Sequence, residues 1–314
     1  MSGHQRTFRL TALPSQSTPT PYLINIPKLL SAVNSKYIGH TTSDGDALSF
    51  PYRLVFKSTG IPDPTTGATE RVDVLTTEIP NSWKMRNAVK KWHFARREMF
   101  SRAGVSVSEL GRYGKILRPY MDNAHQNGGY TEASLFDFTS PGAWAYSVIA
   151  SNLDWPAGID IASLATLDMI DTYNLHVCDG SRTGADVEGV LEYDSVGMIE
   201  SYNMDRMEIQ TATTDTAFNK LNPLASLVAN DATGGEVSDV ALAQQVELPP
   251  YDLNDSGNSI ETMTTGIANA FNTGGTFSVS GLAALGYVLL TTGTSGAGTY
   301  VYLEVGEPIL SKDC

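Results

Sequence analysis

Between Lys84 and Arg118 the chain carries ten basic residues and two acidic ones, Glu98 and Glu109. At the pitch of a helix, Arg86, Lys90 and Arg97 fall within roughly 40° of one another, so three cations share one row. Lys84, Lys91 and Arg102 flank the apolar stripe of the same helix at its other edge, and Phe94 points away from that stripe among the charges. After Gly104, Arg112, Lys115 and Arg118 alternate with Tyr113 and Tyr120. Cations interleaved with rings suit a single-stranded polyanion, because phosphates take the charge and bases stack on the rings. Gly104, Gly111 and Gly114 allow the backbone to approach a phosphate closely. Two other readings use the same residues. One is a solvated or subunit-packing surface, and the other is a basic amphipathic helix lying on an anionic membrane.

Other chemistry is sparse. The histidines stand apart, at 4, 40, 93, 125 and 176. His176 and Cys178 are two apart and so share one face of a strand. A Cys-His dyad would need a third, orienting group, and a packed strand explains the pair better. Asp252, Asn254, Ser256 and Gly257 hold the first, third, fifth and sixth places of a calcium loop, but Met263 stands where the bidentate Glu belongs. A polar turn is the better reading there. Asp168, Asp171 and other loop carboxylates leave Ca²⁺ between subunits open as the only expected ion; no organic cofactor is expected. Gly114-Lys115 runs into Ile116 with no Gly five residues upstream, so there is no phosphate-binding loop of the Walker type. Residues 293–297 (GTSGA) miss the last glycine of a nucleophile elbow. Gly296-Ala297-Gly298 lacks the third glycine of a dinucleotide fingerprint, and no HExxH pair occurs. Two cysteines, Cys178 and Cys314, make neither a disulfide framework nor a CxxC zinc site. The expectation is a protein without catalysis, although a paired-carboxylate mechanism is invisible to sequence.

The basic residues need elements to hold them. Asn81 to Ala103 is the strongest helix, with Asn81 or Ser82 as its cap and Gly104 as its stop. Met85, Ala88, Val89, Trp92, Ala95 and Met99 form its apolar stripe. Period-two alternation predicts strands over residues 7–13 and 70–79; residues 22–26, stopped by Pro27, and 50–57, with a Pro near its start, also read as strands, and 28–33 as a short helical turn. Further strands are expected over 144–149, 175–178, 187–193, 207–211, 277–280, 287–292 and 300–305. Val237–Leu248 and Ser259–Phe271 read equally as strand or helix. Many short strands, few helices and long connections predict a mainly β sandwich or barrel, with Greek-key or jelly-roll wiring and large loops. Residues 14–21 (PSQSTPTP) read as a linker, which sets off an N-terminal strand or arm over 1–21 from a single domain over 22–314.

The composition agrees with a folded chain that buries a real core: 314 residues, 41% apolar and 9% aromatic. The longest apolar run, Gly281 to Leu290, is about half the ~20 residues of a membrane helix, and the N-terminus has no long apolar run of the secretory kind. A soluble protein with no membrane partner is expected. The net charge of −13 conceals a division. Residues 1–118 hold 17 basic and 8 acidic residues, a net of +9, and residues 119–314 hold 4 and 26, a net of −22. One basic and one acidic surface would follow, unless the charges interleave in space.

Residues 83–122 (WKMRNAVKKWHFARREMFSRAGVSVSELGRYGKILRPYMD), the upstream segment Tyr52–Lys57 and the apolar Phe277–Leu290 and Tyr300–Val305 strands together resemble capsid proteins of small circular Rep-encoding single-stranded DNA (CRESS-DNA) viruses from environmental samples. The resemblance is best over residues 50–150. It implies an eight-stranded antiparallel jelly roll that self-assembles into a small icosahedral virion shell around single-stranded DNA or RNA. It also implies a basic inner wall, with the acidic remainder in outer loops. Many such proteins begin with a long Arg-rich arm, whereas the first 50 residues here hold only Arg6, Arg9, Lys28 and Lys36. Genome contact would then fall to the folded wall: Lys84, Arg86, Lys90, Lys91, Arg97, Arg112, Lys115 and Arg118, with Tyr113 and Tyr120 as stacking rings. The rival readings are a spike, tail or receptor-binding β-protein forming trimers or fibres, and a carbohydrate-active β-sandwich enzyme.

Overall fold

The structure, a computed structural model, describes residues 6–11, 21–58, 74–106, 108–136, 144–152, 170–178, 182–185, 191–199, 201–202, 263–267, 276–292 and 299–314. It is mainly β, with several antiparallel sheets. The first sheet contains β1 (Thr7–Arg9), β3 (Leu48–Ser58), β11 (Thr276–Ala284) and β13 (Thr299–Val305) in the order β1-β13-β3-β11, with β14 (Ile309–Leu310) also on β3. The second contains β2 (Tyr22–Asn25), β4 (Val74–Glu78), β5 (Thr131–Glu132), β10 (Met263–Ile267) and β12 (Tyr287–Thr292) in the order β10-β4-β12-β2-β5. Antiparallel partners are nested in the chain: β1 with β13, β2 with β12, β3 with β11 and β4 with β10. A third sheet, β6 (Val148–Asn152), β7 (Ile170–His176), β9 (Leu191–Gly197) and β8 (Arg182–Ala185), comes from the long connection between β4 and β10.

The sequence pattern explains the layering. Along β3, Phe50, Tyr52, Leu54 and Phe56 are buried, while Arg53 and Lys57 are exposed. One face of that strand therefore meets the core and the other meets solvent. The second sheet is covered on both faces. Val288 and Leu290 of β12, with Tyr22 and Ile24 of β2, join β3 and β13 in the inter-sheet core. Tyr287 and Leu23 turn the other way, into a second core with α2 (Trp83–Arg102) and the third sheet. Strands buried on both sides must be apolar at nearly every position, hence the YLINI and YVLL runs.

The corner between β11 and β12 passes through Leu285 and Gly286, both with positive φ, 55° and 74°. Leu285 is buried, and its backbone N–H donates to the Leu48 carbonyl at 2.8 Å. Tertiary bonds thus hold a leucine where glycine is the usual choice.

Most predicted elements are present. The Asn81–Ala103 helix is α2, capped by Ser82 Oγ, which accepts from the Met85 N–H at 3.1 Å. Gly104 ends it with φ of 75°. The short turn over 28–33 is a longer helix, α1 (Ile26–Asn34), with Asn25 as its cap. The 175–178 strand begins earlier, at Ile170, and ends at His176. Ser259–Phe271 resolves in favour of a strand over Met263–Ile267. The one-turn helices α3 (Arg112–Lys115) and α4 (Asn123–Gln126), and the two-residue β5, carry too few residues for a period to register. The 207–211 strand and Val237–Leu248 lie outside the described residues. Phe8 and Leu10 are buried in the inter-sheet core, so the N-terminal strand belongs to the sandwich rather than to an arm separate from it.

Candidate nucleic-acid-binding surface

The stripe from Met85 to Val89 is fully buried and Trp92 nearly so, which turns the opposite side of α2 outward. On that side Lys90 and Arg97 are exposed, as is Phe94 at 50%. The cations of the row differ in their engagement. Arg86 is half-buried and folds back, with Nη1 donating to Asn81 O at 3.1 Å and Asn81 Oδ1 at 2.9 Å. Lys90 makes an exposed ion pair with Asp46 at 3.1 Å. Lys91 is half-buried.

Two expected contact residues are not on the surface. Lys84 is only 3% exposed and Arg118 only 9%. Lys84 falls in the first turn of α2, next to Met85, where the helix is most deeply seated. Arg118 sits beneath Tyr37 and Trp144, its guanidinium 5.9 Å from each ring centroid. Both are removed from the accessible patch. Arg112 and Tyr113 open α3, of which the backbone is described. Tyr120 is half-buried and stacks on Tyr146 at 3.9 Å, so its ring already has a partner inside the fold.

Beside Arg97 and Lys115 the surface gathers His93, Arg96, Phe100 and Ser43, which the spacing of the cations did not single out. His93, Arg96, Arg97 and Phe100 repeat at i, i+3, i+4 and i+7, and this second face of α2 lines a cavity of about 240 Å³ with Lys115 and Ser43. Arg96 Nη1 donates to Ile116 O and Ser147 Oγ, both at 3.2 Å, which ties α2 to the segment after α3. Burial, then the neighbouring Arg118, lowers the Arg96 pKa. Burial also lowers that of His93, helped by Arg97 and Arg96 against Asp44 and Asp46, which favours its neutral form. Gly45, at φ of 83°, brings the 42–46 turn against the His93 ring, which a Cβ would meet at 2.5 Å. A second cavity, of about 450 Å³, adjoins the first through Ser43 and Lys115 and has Arg6, Lys36 and Tyr37 in its walls.

A buried polar network lies elsewhere, between α1, α4, β5 and residue 146. Glu132 on β5 accepts from His125 Nε2 at 3.0 Å and from Tyr146 Oη at 2.5 Å, and it pairs with Lys28. His125 Nδ1 accepts from the Met121 N–H at 3.1 Å, which leaves Nε2 as the donor. Burial pushes the Tyr146 phenol up, and the Glu132 charge adds to it, so Tyr146 stays protonated. Nearby, His40 Nδ1 contacts the Leu285 carbonyl at 2.6 Å, and Tyr287 Oη donates to Pro119 O at 2.5 Å. These groups bond to one another and to backbone across elements far apart in sequence. They pin the inserted segment to the sandwich and set no nucleophile beside a base.

His176 ends β7 and Cys178 lies just beyond it, so the two do not share a strand face; His176 Nδ1 meets the Cys178 carbonyl at 2.5 Å, and the buried Cys178 joins the second core. Among the described residues no group of three or more His, Cys, Asp or Glu side chains could hold a metal. Asp168 and the Asp252–Gly257 turn lie outside the described residues. Among those described, no helix is long and apolar enough to cross a membrane. No protein family, curated protein or solved structure matches the chain.

Proposed function

We propose that this chain is a viral capsid protein that assembles with copies of itself into a small closed shell and encloses single-stranded nucleic acid. The observation that carries the reading is the nested strand pairing. With β1, β2, β3, β4, β10, β11, β12 and β13 taken as strands one to eight, the pairs are one–eight, two–seven, three–six and four–five. A long antiparallel hairpin rolled into two sheets pairs in this way, which is the wiring of a jelly roll, an architecture common among capsid domains. That fold also serves lectins and cupins, so the site must carry the rest. Support comes from α2, whose outer side presents Lys90, Arg97 and Phe94, and from the cation-lined cavity against it with a second one adjoining. The net of +9 in the first 118 residues matches a polyanion. In this reading the virion is where the protein resides, and its partners are its own copies and the enclosed strand.

Electron microscopy of the purified protein, with the 260/280 nm absorbance ratio of the same fraction, tests the proposal. Closed uniform particles with a raised ratio are expected. Trimers, fibres or monomers across a range of salt and pH overturn it, and empty shells remove the nucleic-acid half.

A further inference from the structure

We infer that the two adjoining cavities, the smaller one against α2, hold consecutive nucleotides of one strand, with Lys115 on the phosphate that links them. The inference rests on the reading above for the kind of polyanion enclosed, and names where that strand is gripped.

The walls define the occupant. The smaller cavity brings three cations, Arg96, Arg97 and Lys115, against one carboxylate, Asp44, and offers the Phe100 ring as an apolar side. The larger has Arg6, Lys36 and Lys115 in its walls, no carboxylate, and an apolar lining that includes Leu30, Ile38 and Ile116 beside the Tyr37 ring. Arg6 is balanced by an exposed pair with Glu307 at 2.8 Å, which leaves Lys36 and Lys115 to set the sign of the larger cavity. Each cavity thus joins positive charge to apolar walls, which a phosphate with its base satisfies and an inorganic anion does not. Ser43 and Lys115 line both cavities, so an occupant of both passes Lys115 on the way. A strand with a charge between every two bases has that spacing of chemistries. Arg96 is already oriented: two hydrogen bonds hold its Nη1 in place. A preoriented cation loses less entropy on binding than a free surface lysine.

Irradiation of the full-length protein at 254 nm, with its co-purifying nucleic acid or with added dT12 when none co-purifies, tests the site. Nuclease digestion and mass spectrometry then map the nucleotide adducts. Adducts are expected on the peptides carrying Tyr37 and Phe100. Lys115→Glu should lower both by about 10-fold, because a phosphate contact is lost and a like charge takes its place. Ser43→Trp, which fills the shared wall without changing charge, should act alike. Lys57→Glu, which reverses an exposed cation of β3 outside both cavities, should leave them unchanged. Adducts confined to other peptides, no adducts at all, or wild-type yields in the Lys115 and Ser43 variants overturn the inference. Should Lys115→Glu fail to fold by circular dichroism, the wild-type map and Ser43→Trp decide. Shells with adducts elsewhere leave the capsid reading standing without this site. Adducts at both peptides from a protein that forms no shells leave the site without the capsid.

Discussion

Glu132 of β5 accepts a hydrogen bond from Nε2 of His125 in α4 at 3.0 Å, across only seven residues of chain. The same carboxylate pairs with Lys28 of α1, more than a hundred residues upstream. One acidic side chain thus fastens the start of the long insertion to the edge of the second sheet.

That arrangement predicts an acid limit to stability. Burial alone would raise the Glu132 pKa, but hydrogen bonds from His125, Lys28 and Tyr146 outweigh it and lower the value from 4.5 to about 2. The folded value lies below the unfolded one. The contribution is therefore complete above about pH 4.5 and disappears as pH falls toward 2. It is worth about 3 kcal/mol. His40, buried and lowered from 6.5 to about 3, acts in the same direction over a higher window, because unfolding lets it take up a proton. Urea unfolding between pH 2 and 7 should show stability declining from pH 6.5 downward. Glu132→Gln should cost about 3 kcal/mol at pH 7 and flatten the lower part of that decline. An unchanged acid limb in the variant would remove Glu132 from the account.

Gly286 is the position where the corner between sheets tolerates least. Its φ is 74°, and a Cβ there would meet Pro27 Cδ at 2.5 Å and Phe50 Cδ2 at 3.0 Å. Gly286→Ala should cost about 3 kcal/mol through backbone strain and overpacking together. Gly104→Ala has the same sign of φ but nothing within 4 Å, so it should cost only about 1 kcal/mol. Urea midpoints of the two variants measure the difference.

Charge reversal should divide the basic residues by depth. Lys84→Glu and Arg118→Glu place carboxylates in the interior and should cost more than about 3 kcal/mol, so that little folded protein is recovered. Arg97→Glu, on the exposed side of α2, should change stability by less than about 0.5 kcal/mol while reducing nucleic acid in the purified fraction. Thermal melts and the 260/280 nm ratio of each variant separate the effects. Equal nucleic-acid content in Arg97→Glu and wild type would dismiss Arg97 as a contact.

Much of the sandwich was readable along the chain. Local signals sufficed where an element is long and one face of it is buried: the strand run of β3, the stripe and cap of α2, and the glycine that ends it. The exposure of Phe94 follows from helical period alone. Elements of two to four residues, β5 and α3 among them, left no period to read. The ambiguity over 259–271 arose because a short mixed run suits either a helix or a strand until its neighbour β4 is known.

The amino-acid sequence by itself determined the β-rich class, the helix at 83–102, the division of charge and the general place of the basic surface, since each depends on residue type and spacing over one element. Only the tertiary structure decided which cations are accessible. Lys84 and Arg118 belong to the same basic run as Arg97 and Lys115, but burial depends on what packs above them, Tyr37 and Trp144 in the case of Arg118. The pairing of Glu132 with Lys28, and the meeting of Ser43 with Lys115, likewise join segments remote in the chain. Periodicity reports the direction of a side chain about its own axis. It carries no information on the element that arrives opposite, and that element sets both the burial and the partners of a charge.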